Sequence, residues 1–562
     1  WGLSRQGMIW EKILTDKDGQ YAEIQSGRLF NQNAEQSTFT PFKHRSFAPQ
    51  ATDRWTEYWY PVLQTRGIKV ANAFASLNVL QENGWIKWFC SPVQAFKDTM
   101  IIYANGHPIY RKALEARPLQ LLADSIKSAG SEGNLAAELP RIHLQWDADP
   151  GFNALKRPLE TPAAFDWNSA YGLYVQGKED MDQKHFVSAA EKLSQSLAKA
   201  PDYLPALVKM AELYYRNGQY SEAFSMAKKA LAIDNHDGAA NYYYGLAAGE
   251  SGDRVNAKDG LGIASLSGEY RSPAYSKLAE IYLQEDDPQR ALHYTELALD
   301  FNRYAVRALE TRAIAFRKTG DRIGALAVLA ELEGQLPLSP FVRFEKGLWD
   351  PAQQPGPRAF DRSELPQEVW MELVSGYVQR GCREEAMACL RLSGEYPLPL
   401  YWKAYLNAQN GEAFNETLAE ADRLPSQLVF PFRAEMIPVL RWAVSVSESW
   451  KPRYYLALLL NDKGQREEAY GLVRSLADRP DAAPFYALRA LWSKEDPASA
   501  ERDLLRAASI DTAAWRYPKL LAQHYIAQKD YVHALSIAAS YDQHHPGSYI
   551  MQMLHVKTLL LT

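Results

Sequence analysis

Residues 203–236 read YLPALVKMAELYYRNGQYSEAFSMAKKALAIDNH, which is one unit of a pattern that returns every 34 residues between positions 170 and 337. Small residues recur in phase at three positions of this unit, with leucine as the single exception. The three series are Gly177, Ala211, Gly245, Ala279, Ala313; Ala189, Ala223, Ala257, Ala291, Ala325; and Ser196, Ala230, Ala264, Ala298, Leu332. A fixed period of this length over five units predicts a solenoid of stacked helix pairs.

The residue types at the repeated positions suit two helices packed closely together. Small side chains let the backbones approach each other, and larger apolar residues at helical spacing supply the core. Gly218, Gly252 and Gly320 fall between the two helices of their units, where glycine readily adopts the left-handed conformation that ends a helix. The stretch resembles the tetratricopeptide repeat (TPR) family.

The TPR resemblance implies a concave groove, lined by the first helix of each pair, that binds an extended peptide or a helix of a partner protein. Tyr242, Tyr243 and Tyr282 lie on first helices of the array. They are either contacts in that groove or packing residues between repeats. The array shows no nucleophile–base arrangement and no glycine-rich phosphate loop, so we expect no catalysis there.

Composition narrows the class of partner. A net charge of −5 with a pI near 6.2 gives no reason to expect nucleic acid or an anionic membrane. Three cysteines, with no cluster of histidines beside them, predict neither a disulfide framework nor a zinc site. We expect no metal, no cofactor and no transmembrane segment. We expect the chain to begin, at Trp1, within a domain. The sequence leaves open whether the protein is periplasmic or cytoplasmic.

The segment before the array is rich in aromatic residues, and its apolar and polar residues alternate, which is typical of antiparallel β structure. Asp18-Gly19 and Asn105-Gly106 are hairpin signals. The predicted strands cover residues 8–15, 20–25, 55–62, 68–79, 85–90, 99–103 and 107–110. No helix-length periodic segment interrupts them, which indicates a sandwich or part of one.

The expected fold class is mainly α, a TPR-type α-solenoid preceded by part of an antiparallel β-sandwich. The predicted domains are a β-sandwich portion at 1–115, a connector at 116–165, an array of about five TPR units at 166–348, a Pro/Gly-rich linker at 349–366, and further TPR-like repeats at 367–562. The linker contains three prolines within residues 350–357, which cannot continue a helix.

A cluster of polar and aromatic residues in the β portion suits carbohydrate. Strand alternation places Tyr21, Glu23 and Gln25 on one face, and unpaired polar side chains of this kind are costly to bury. The predicted carbohydrate-binding residues are Tyr21, Glu23, Gln25, His44, Arg45, Glu57 and Trp59. Aromatic rings cover the C–H surface of a sugar while polar groups bind its hydroxyls. The alternative is that the tryptophans form sandwich core and the charges a solvated rim.

Two motifs, Tyr21-x-Glu23-x-Gln25-x-Gly27 and Trp55-x-Glu57-x-Trp59, together with the array that follows, resemble an uncharacterised bacterial family. That family joins a galactose mutarotase-like β-sandwich to TPR repeats, and the chain looks like its C-terminal portion. The resemblance implies a supersandwich fold of the kind used by aldose epimerases, in which a glutamate acts as base and a histidine as acid. Glu23 matches the glutamate, and the histidine is expected upstream of Trp1.

Three functions follow from these observations. The first is a carbohydrate-associated scaffold, in which the β-sandwich recognises a glycan and the solenoid binds a protein partner. The second is a sugar-active enzyme, an epimerase or a glycoside-cleaving enzyme, with Glu23 as base or nucleophile. The third is a pure scaffold in which the β portion caps the solenoid. The sequence leaves open whether the protein is an enzyme.

Overall fold

The computed structural model describes residues 49–52, 54–128, 134–149, 152, 164–361, 363, 365–493, 496–545 and 547–562. The described residues fall into two compact units. The first comprises the β structure up to residue 152, and the second comprises the helices from residue 164 onward together with residues 49–52.

Within its described residues, the first unit has eight strands in two four-stranded antiparallel sheets. The strands are β1 Val70–Ala71, β2 Ala75–Glu82, β3 Trp85–Pro92, β4 Phe96–Ala104, β5 His107–Ala116, β6 Leu122–Lys127, β7 Leu135–Leu139 and β8 Leu144–Asp147. One sheet has the order β1-β2-β3-β6 and the other β5-β4-β7-β8. Alternate apolar residues of both sheets, among them Leu77, Trp88 and Ile102, form one buried core, so the antiparallel β prediction is confirmed.

The strand predictions need three corrections. Residues 55–62 form no strand but have irregular backbone, with Trp55 and Trp59 exposed. The predicted strand 68–79 is split at Asn72, whose side-chain oxygen accepts hydrogen bonds from the backbone N–H groups of Phe74 and Ala75 and so makes a turn. The segment predicted as connector contributes β6, β7 and β8, because prolines and glycines around these short strands mask their alternation.

The Asn105-Gly106 hairpin signal is confirmed. These two residues join β4 to β5 and have φ angles of 51° and 79°. Both angles lie in the left-handed region that a two-residue type I′ turn requires, and asparagine and glycine reach this region at low cost.

The second unit contains 23 α-helices in its described residues. They are α1 Ala170–Asp182, α2 Phe186–Lys199, α3 Leu204–Arg216, α4 Tyr220–Leu231, α5 Gly238–Glu250, α6 Arg254–Ala264, α7 Arg271–Gln284, α8 Pro288–Phe301, α9 Val306–Lys318, α10 Arg322–Gln335, α11 Pro340–Trp349, α12 Pro366–Gln379, α13 Arg383–Leu392, α14 Pro397–Gln409, α15 Asn415–Arg423, α16 Met436–Val446, α17 Trp450–Asp462, α18 Arg466–Ser475, α19 Ala483–Trp492, α20 Pro497–Ile510, α21 Arg516–Ala527, α22 Tyr531–His544 and α23 Tyr549–Leu559.

The repeated small residues lie where the helices of a pair touch, as the period predicts. Ala223, Ala257 and Ala291 are completely buried. At Gly245 a Cβ atom would lie 2.9 Å from the carbonyl oxygen of Ala257, so the α5 and α6 backbones are in close contact. The glycines between helices have the left-handed φ predicted for them, 72° at Gly218 and 83° at Gly252.

The series of helix pairs is interrupted between α11 and α12. After Trp349 the chain makes a short 3-10 turn at Pro351–Gln353 and stays irregular until α12 begins at Pro366. Proline lacks the backbone donor that an α-helix needs and restricts the residue before it. The helix pairs therefore resume only after a gap of irregular backbone.

The later helices pack back against the earlier ones. The side-chain amide of Gln465 donates a 2.8 Å hydrogen bond to the carbonyl of Asn217. Beside it, a Cβ atom on Gly218 would lie 2.9 Å from the Cδ1 atom of Ile437. The turn between α3 and α4 is thus in contact with α16 and with the start of α18, and the helices between these elements enclose an interior space.

Candidate functional site

Most of the predicted sugar-binding residues, namely Tyr21, Glu23, Gln25, His44 and Arg45, lie outside the described residues. Their convergence therefore stays a prediction.

Glu57 and Trp59 are described, and the Glu57 carboxylate accepts hydrogen bonds from the indole N–H groups of Trp55 and Trp59 at 2.8 and 3.3 Å. All three residues are exposed, and 69% of the surface of Trp59 is accessible to solvent. The structure thus brings these three residues together on irregular backbone and not on a strand.

The tyrosines considered as groove contacts have packing roles. Tyr242 and Tyr243 are buried, and burial raises the pKa of both phenols. Tyr282 is half-buried and stacks on Tyr294 with ring centroids 5.2 Å apart, while the ammonium group of Lys258 lies 4.8 Å from its ring centroid. For these residues the packing interpretation is the better one.

The second unit contains a cavity of about 910 Å³ between two distant parts of the array. One wall comes from α3 to α7 and the other from α12 to α16. Aromatic side chains on both walls include Tyr215 and Tyr220 on one side and Trp402 and Tyr405 on the other. The 34-residue period in the sequence places each residue within its own repeat, but it does not reveal that these two walls face each other.

Gln379, the last residue of α12, connects the two walls. Its side-chain oxygen accepts a 2.8 Å hydrogen bond from the Arg307 guanidinium, and its side-chain nitrogen donates a 2.9 Å hydrogen bond to Glu435. The backbone carbonyl of the same residue accepts a hydrogen bond from the side chain of Gln284. One glutamine therefore holds α7, α9 and the start of α16 in fixed positions around the cavity.

A buried ion pair supports this junction. Glu280 is completely buried, and its carboxylate lies 2.6 Å from Arg307 and 3.0 Å from Lys277. Burial alone would raise the pKa of Glu280, but the attraction of Arg307, Lys277 and Arg380 together outweighs burial and lowers it to about 2. A buried charge with such partners is costly to break, so the pair keeps α7 and α9 in register.

Five cationic side chains and two acidic ones stand among the described lining residues. The cations are Arg216, Arg254, Lys277, Arg383 and Arg441, and the acids are Glu250 and Glu435. Arg216 pairs with Glu212 at 2.7 Å, and Arg441 pairs with Glu468 at 2.8 Å. Within the part of the chain that the structure describes, Arg254 and Arg383 have no carboxylate within 4.0 Å.

Other types of site are absent from the described residues. These residues contain no group of three or more His, Cys, Asp or Glu side chains that would hold a metal ion. None of the helices in the described residues is long and apolar enough to cross a lipid bilayer.

The thiols of Cys382 and Cys389 are buried, and burial raises the pKa of both, to about 12 for Cys382. Both are therefore protonated and poorly nucleophilic at neutral pH.

Two family profiles match parts of the chain. Residues 1–62 match a domain of unknown function (DUF5107), and residues 180–240 match the tetratricopeptide repeat. The second match agrees with the 34-residue period, and its residues include the whole of helices α2, α3 and α4. The helical unit is an α-solenoid with a tetratricopeptide region, and such a solenoid is a scaffold for protein interaction.

Several solved structures are similar to parts of the solenoid. A crystal structure of MamA is 22% identical, covers 28% of this chain and 95% of its own, and has a TM-score of 0.27. A crystal structure of PilW, a widely conserved type IV pilus biogenesis factor, is 19% identical over 32% of this chain and 82% of its own, with a TM-score of 0.29. A tetratricopeptide repeat protein from Parabacteroides merdae is 15% identical over 52% of this chain and 99% of its own, with a TM-score of 0.31.

Proposed function

We propose that this protein is a docking scaffold whose solenoid binds a segment of a partner protein in the cavity between α3–α7 and α12–α16. The observation that carries the proposal is the cavity itself, with a volume of about 910 Å³ and an aromatic and charged lining. Pockets that bind ligands generally have volumes of roughly 300–1,000 Å³ and combine aromatic surface with a few polar groups.

The lining residues suit a peptide chain. Tyr220 and Tyr405 are partly exposed and offer rigid aromatic surface, and such residues contribute strongly to protein interfaces. Gln409 adds an exposed amide at the same wall, which suits the backbone N–H and C=O groups that an extended segment presents. Because the lining comes from helices far apart in sequence, binding depends on the folded solenoid and not on one repeat.

Photo-crosslinking tests the location. The photoreactive residue p-benzoylphenylalanine replaces Tyr405 in the full chain, and peptides selected from a random display library on the unmodified chain are added and irradiated. We expect the selected peptides to crosslink at position 405. The matched control places the same residue at Tyr549, which is exposed at the start of α23 and is not among the cavity-lining residues. Crosslinking at 549 with none at 405 would contradict the proposal.

A second candidate is sugar binding by the N-terminal unit, through Tyr21, Glu23, Gln25, His44, Arg45, Glu57 and Trp59. Its support is the mutarotase-like resemblance together with the exposed tryptophans on either side of Glu57. Exposed indole rings beside a carboxylate suit a sugar, since the rings offer stacking surface. In this proposal Glu23 acts as base or nucleophile if the unit is also an enzyme.

Calorimetry of the full chain against a panel of mono- and oligosaccharides tests the second candidate. We expect Trp59→Ala to weaken binding, because it removes stacking area, and Trp85→Ala, at a partly exposed tryptophan of β3, to leave it unchanged. Glu23→Gln should retain binding but abolish any turnover, since an amide cannot accept the proton. Absence of heat with every sugar would favour the pure scaffold, with the β unit as its cap.

A further inference from the structure

The charge distribution of the cavity identifies the kind of segment that fits it. We infer that the cavity between α3–α7 and α12–α16 binds an acidic segment of a partner protein, with Arg254 and Arg383 as the groups that bind its carboxylates. The inference rests on the proposed docking function and adds the chemistry of the partner.

The first support is the pairing of the cations. Arg216, Lys277 and Arg441 each lie within 3.0 Å of a carboxylate of the same chain, respectively Glu212, Glu280 and Glu468. Arg254 and Arg383 have no such partner among the described residues. A guanidinium carries five N–H donors in a fixed fork that matches a carboxylate. These two residues are therefore the cations in the lining with donors available to a ligand.

The two acidic residues of the lining do not neutralise these arginines. Glu250 accepts a hydrogen bond from the Tyr215 hydroxyl at 3.4 Å, and Glu435 accepts one from the Gln379 amide at 2.9 Å. Both act on the phenol of Tyr220, whose pKa is raised first by burial and then by these two negative charges. Neither Glu250 nor Glu435 lies within 4.0 Å of the guanidinium group of Arg254 or Arg383.

The second support is the aromatic surface beside Arg383. Arg383 and Tyr405 line the same wall of the cavity, and the positive charge of Arg383 partly offsets the rise that burial causes in the pKa of the Tyr405 phenol. Trp402 packs beside Tyr405, with ring centroids 6.3 Å apart. An exposed arginine on the same wall as the partly exposed ring of Tyr405 suits a segment in which acidic residues alternate with apolar or aromatic ones.

The occupant is a segment and not a small anion. Arg254 opens α6 and Arg383 opens α13, so the two guanidinium groups come from opposite walls of a cavity of about 910 Å³. A single phosphate or carboxylate leaves most of that volume unfilled. A peptide with at least two acidic side chains contacts both walls and fills the space between them with its own side chains.

The sequence contains an almost ideal control for the test. Arg383-Glu-Glu-Ala386 opens α13 and Arg466-Glu-Glu-Ala469 opens α18, so both arginines have the same neighbours and the same helical position. Both are exposed, but only Arg383 is among the cavity-lining residues.

Arg322 is the corresponding control for Arg254, since it is the first residue of α10 and lies two 34-residue periods further along the chain. Acidic residues are favourable in the first turn of a helix, so replacement of these arginines by glutamate does not disrupt the helices.

Fluorescence anisotropy of the full chain with labelled peptides tests the inference. The probes are a peptide of alternating glutamate and tyrosine, its glutamine counterpart and its lysine counterpart. We expect the glutamate peptide to bind roughly tenfold or more tightly than the other two. Arg383→Glu and Arg254→Glu should each weaken it roughly tenfold, whereas Arg466→Glu and Arg322→Glu should change it less than about twofold. Binding should also weaken as sodium chloride rises from roughly 0.05 M to 0.5 M.

The outcomes separate the two proposals. If the glutamine or lysine peptide binds as tightly as the glutamate peptide and crosslinks at position 405, the docking function stands and the acidic preference is wrong. If Arg466→Glu weakens binding as much as Arg383→Glu does, the attraction is a property of the whole surface and the inference fails. If none of the three peptides binds and library selection yields none that crosslink at 405, both proposals fail.

Discussion

The side-chain amide of Gln465 donates a 2.8 Å hydrogen bond to the backbone carbonyl of Asn217, a residue 248 positions earlier in the chain. This contact brings the start of α18 against the turn between α3 and α4, and it lies at the edge of the cavity, where Gly218 of one wall meets Ile437 of the other. Residues of the first and last thirds of the solenoid therefore share one surface.

We predict that Gln465→Ala loosens this contact without unfolding the protein. A single hydrogen bond of this type contributes about 0.5–1.5 kcal/mol, so the global stability should change little. Hydrogen–deuterium exchange should rise at the amides around Asn217 and Gly218, while exchange in α8 stays the same. Gln528→Ala, at an exposed glutamine just after α21, is the control. Equal exchange around Asn217 in both variants would show that the hydrogen bond does not hold the contact.

Glu280→Gln should destabilise the protein strongly at neutral pH. The change leaves Arg307 and Lys277 without the carboxylate that lies 2.6 and 3.0 Å from them, and loss of one partner of a buried ion pair costs about 3–5 kcal/mol. Glu468→Gln is the control, because its pair with Arg441 is exposed and worth about 0–1 kcal/mol. Urea denaturation followed by circular dichroism measures the two changes, and equal midpoints would contradict the prediction.

The pH dependence of the Glu280 contribution has a definite sign. The pKa of this carboxyl is about 2 in the folded protein against an ordinary value of 4.5. A lowered pKa stabilises the fold fully above the ordinary value, and the stabilisation is lost as pH falls toward the folded value. The stability difference between the wild-type chain and Glu280→Gln should therefore shrink between pH 4.5 and about 2. A difference that grows on acidification would be inconsistent with this ion pair.

Gly245→Ala and Gly262→Ala should have opposite effects on the thermal stability of the protein. A Cβ atom at Gly245 would lie 2.9 Å from backbone atoms of Ala257 and Leu261, so α5 and α6 must move apart. At Gly262, an exposed position inside α6, a Cβ atom meets nothing within 4 Å. Alanine there stabilises the helix by about 0.5–1 kcal/mol. Thermal unfolding should show a lower Tm for the first variant and a higher Tm for the second; the same direction for both would contradict the α5–α6 contact.

Ala223→Phe should destabilise the second helix pair. Ala223 is completely buried in α4, and overpacking of a buried site costs about 1–3 kcal/mol. Because each repeat contacts chiefly its neighbours, protease sensitivity should increase mainly in the adjacent repeats. Lys229→Phe, at an exposed position of the same helix, introduces the same side chain outside the core and should leave Tm almost unchanged. An unchanged Tm for Ala223→Phe would show that this position tolerates a large side chain.

The period in the sequence predicted the helix pairs because small residues have a strict physical role there. Gly245 and Ala257 touch across their pair, and no larger residue fits that distance. The strands were harder to predict. Residues 55–62 alternate like a strand but make no ladder, since a strand exists only with a partner and alternation does not reveal one. The short strands β6 to β8 were missed for the complementary reason, because pairing of β6 with β3, of β7 with β4 and of β8 with β7 stabilises segments too short to be predicted from their own pattern.

By itself, then, the sequence determined the solenoid, its close contacts and its interruption after Trp349, because each of these depends on residues near one another in the chain. Which residues line the cavity was decided only by the tertiary structure. Arg254 and Arg383 are ordinary first residues of helices in the sequence, as Arg466 is. The packing of the later helices against the earlier ones, seen in the contact between Asn217 and Gln465, brings the first two to one cavity and leaves the third outside its lining. Small rotations accumulate from repeat to repeat along a solenoid, so distant repeats meet at positions that no local pattern encodes.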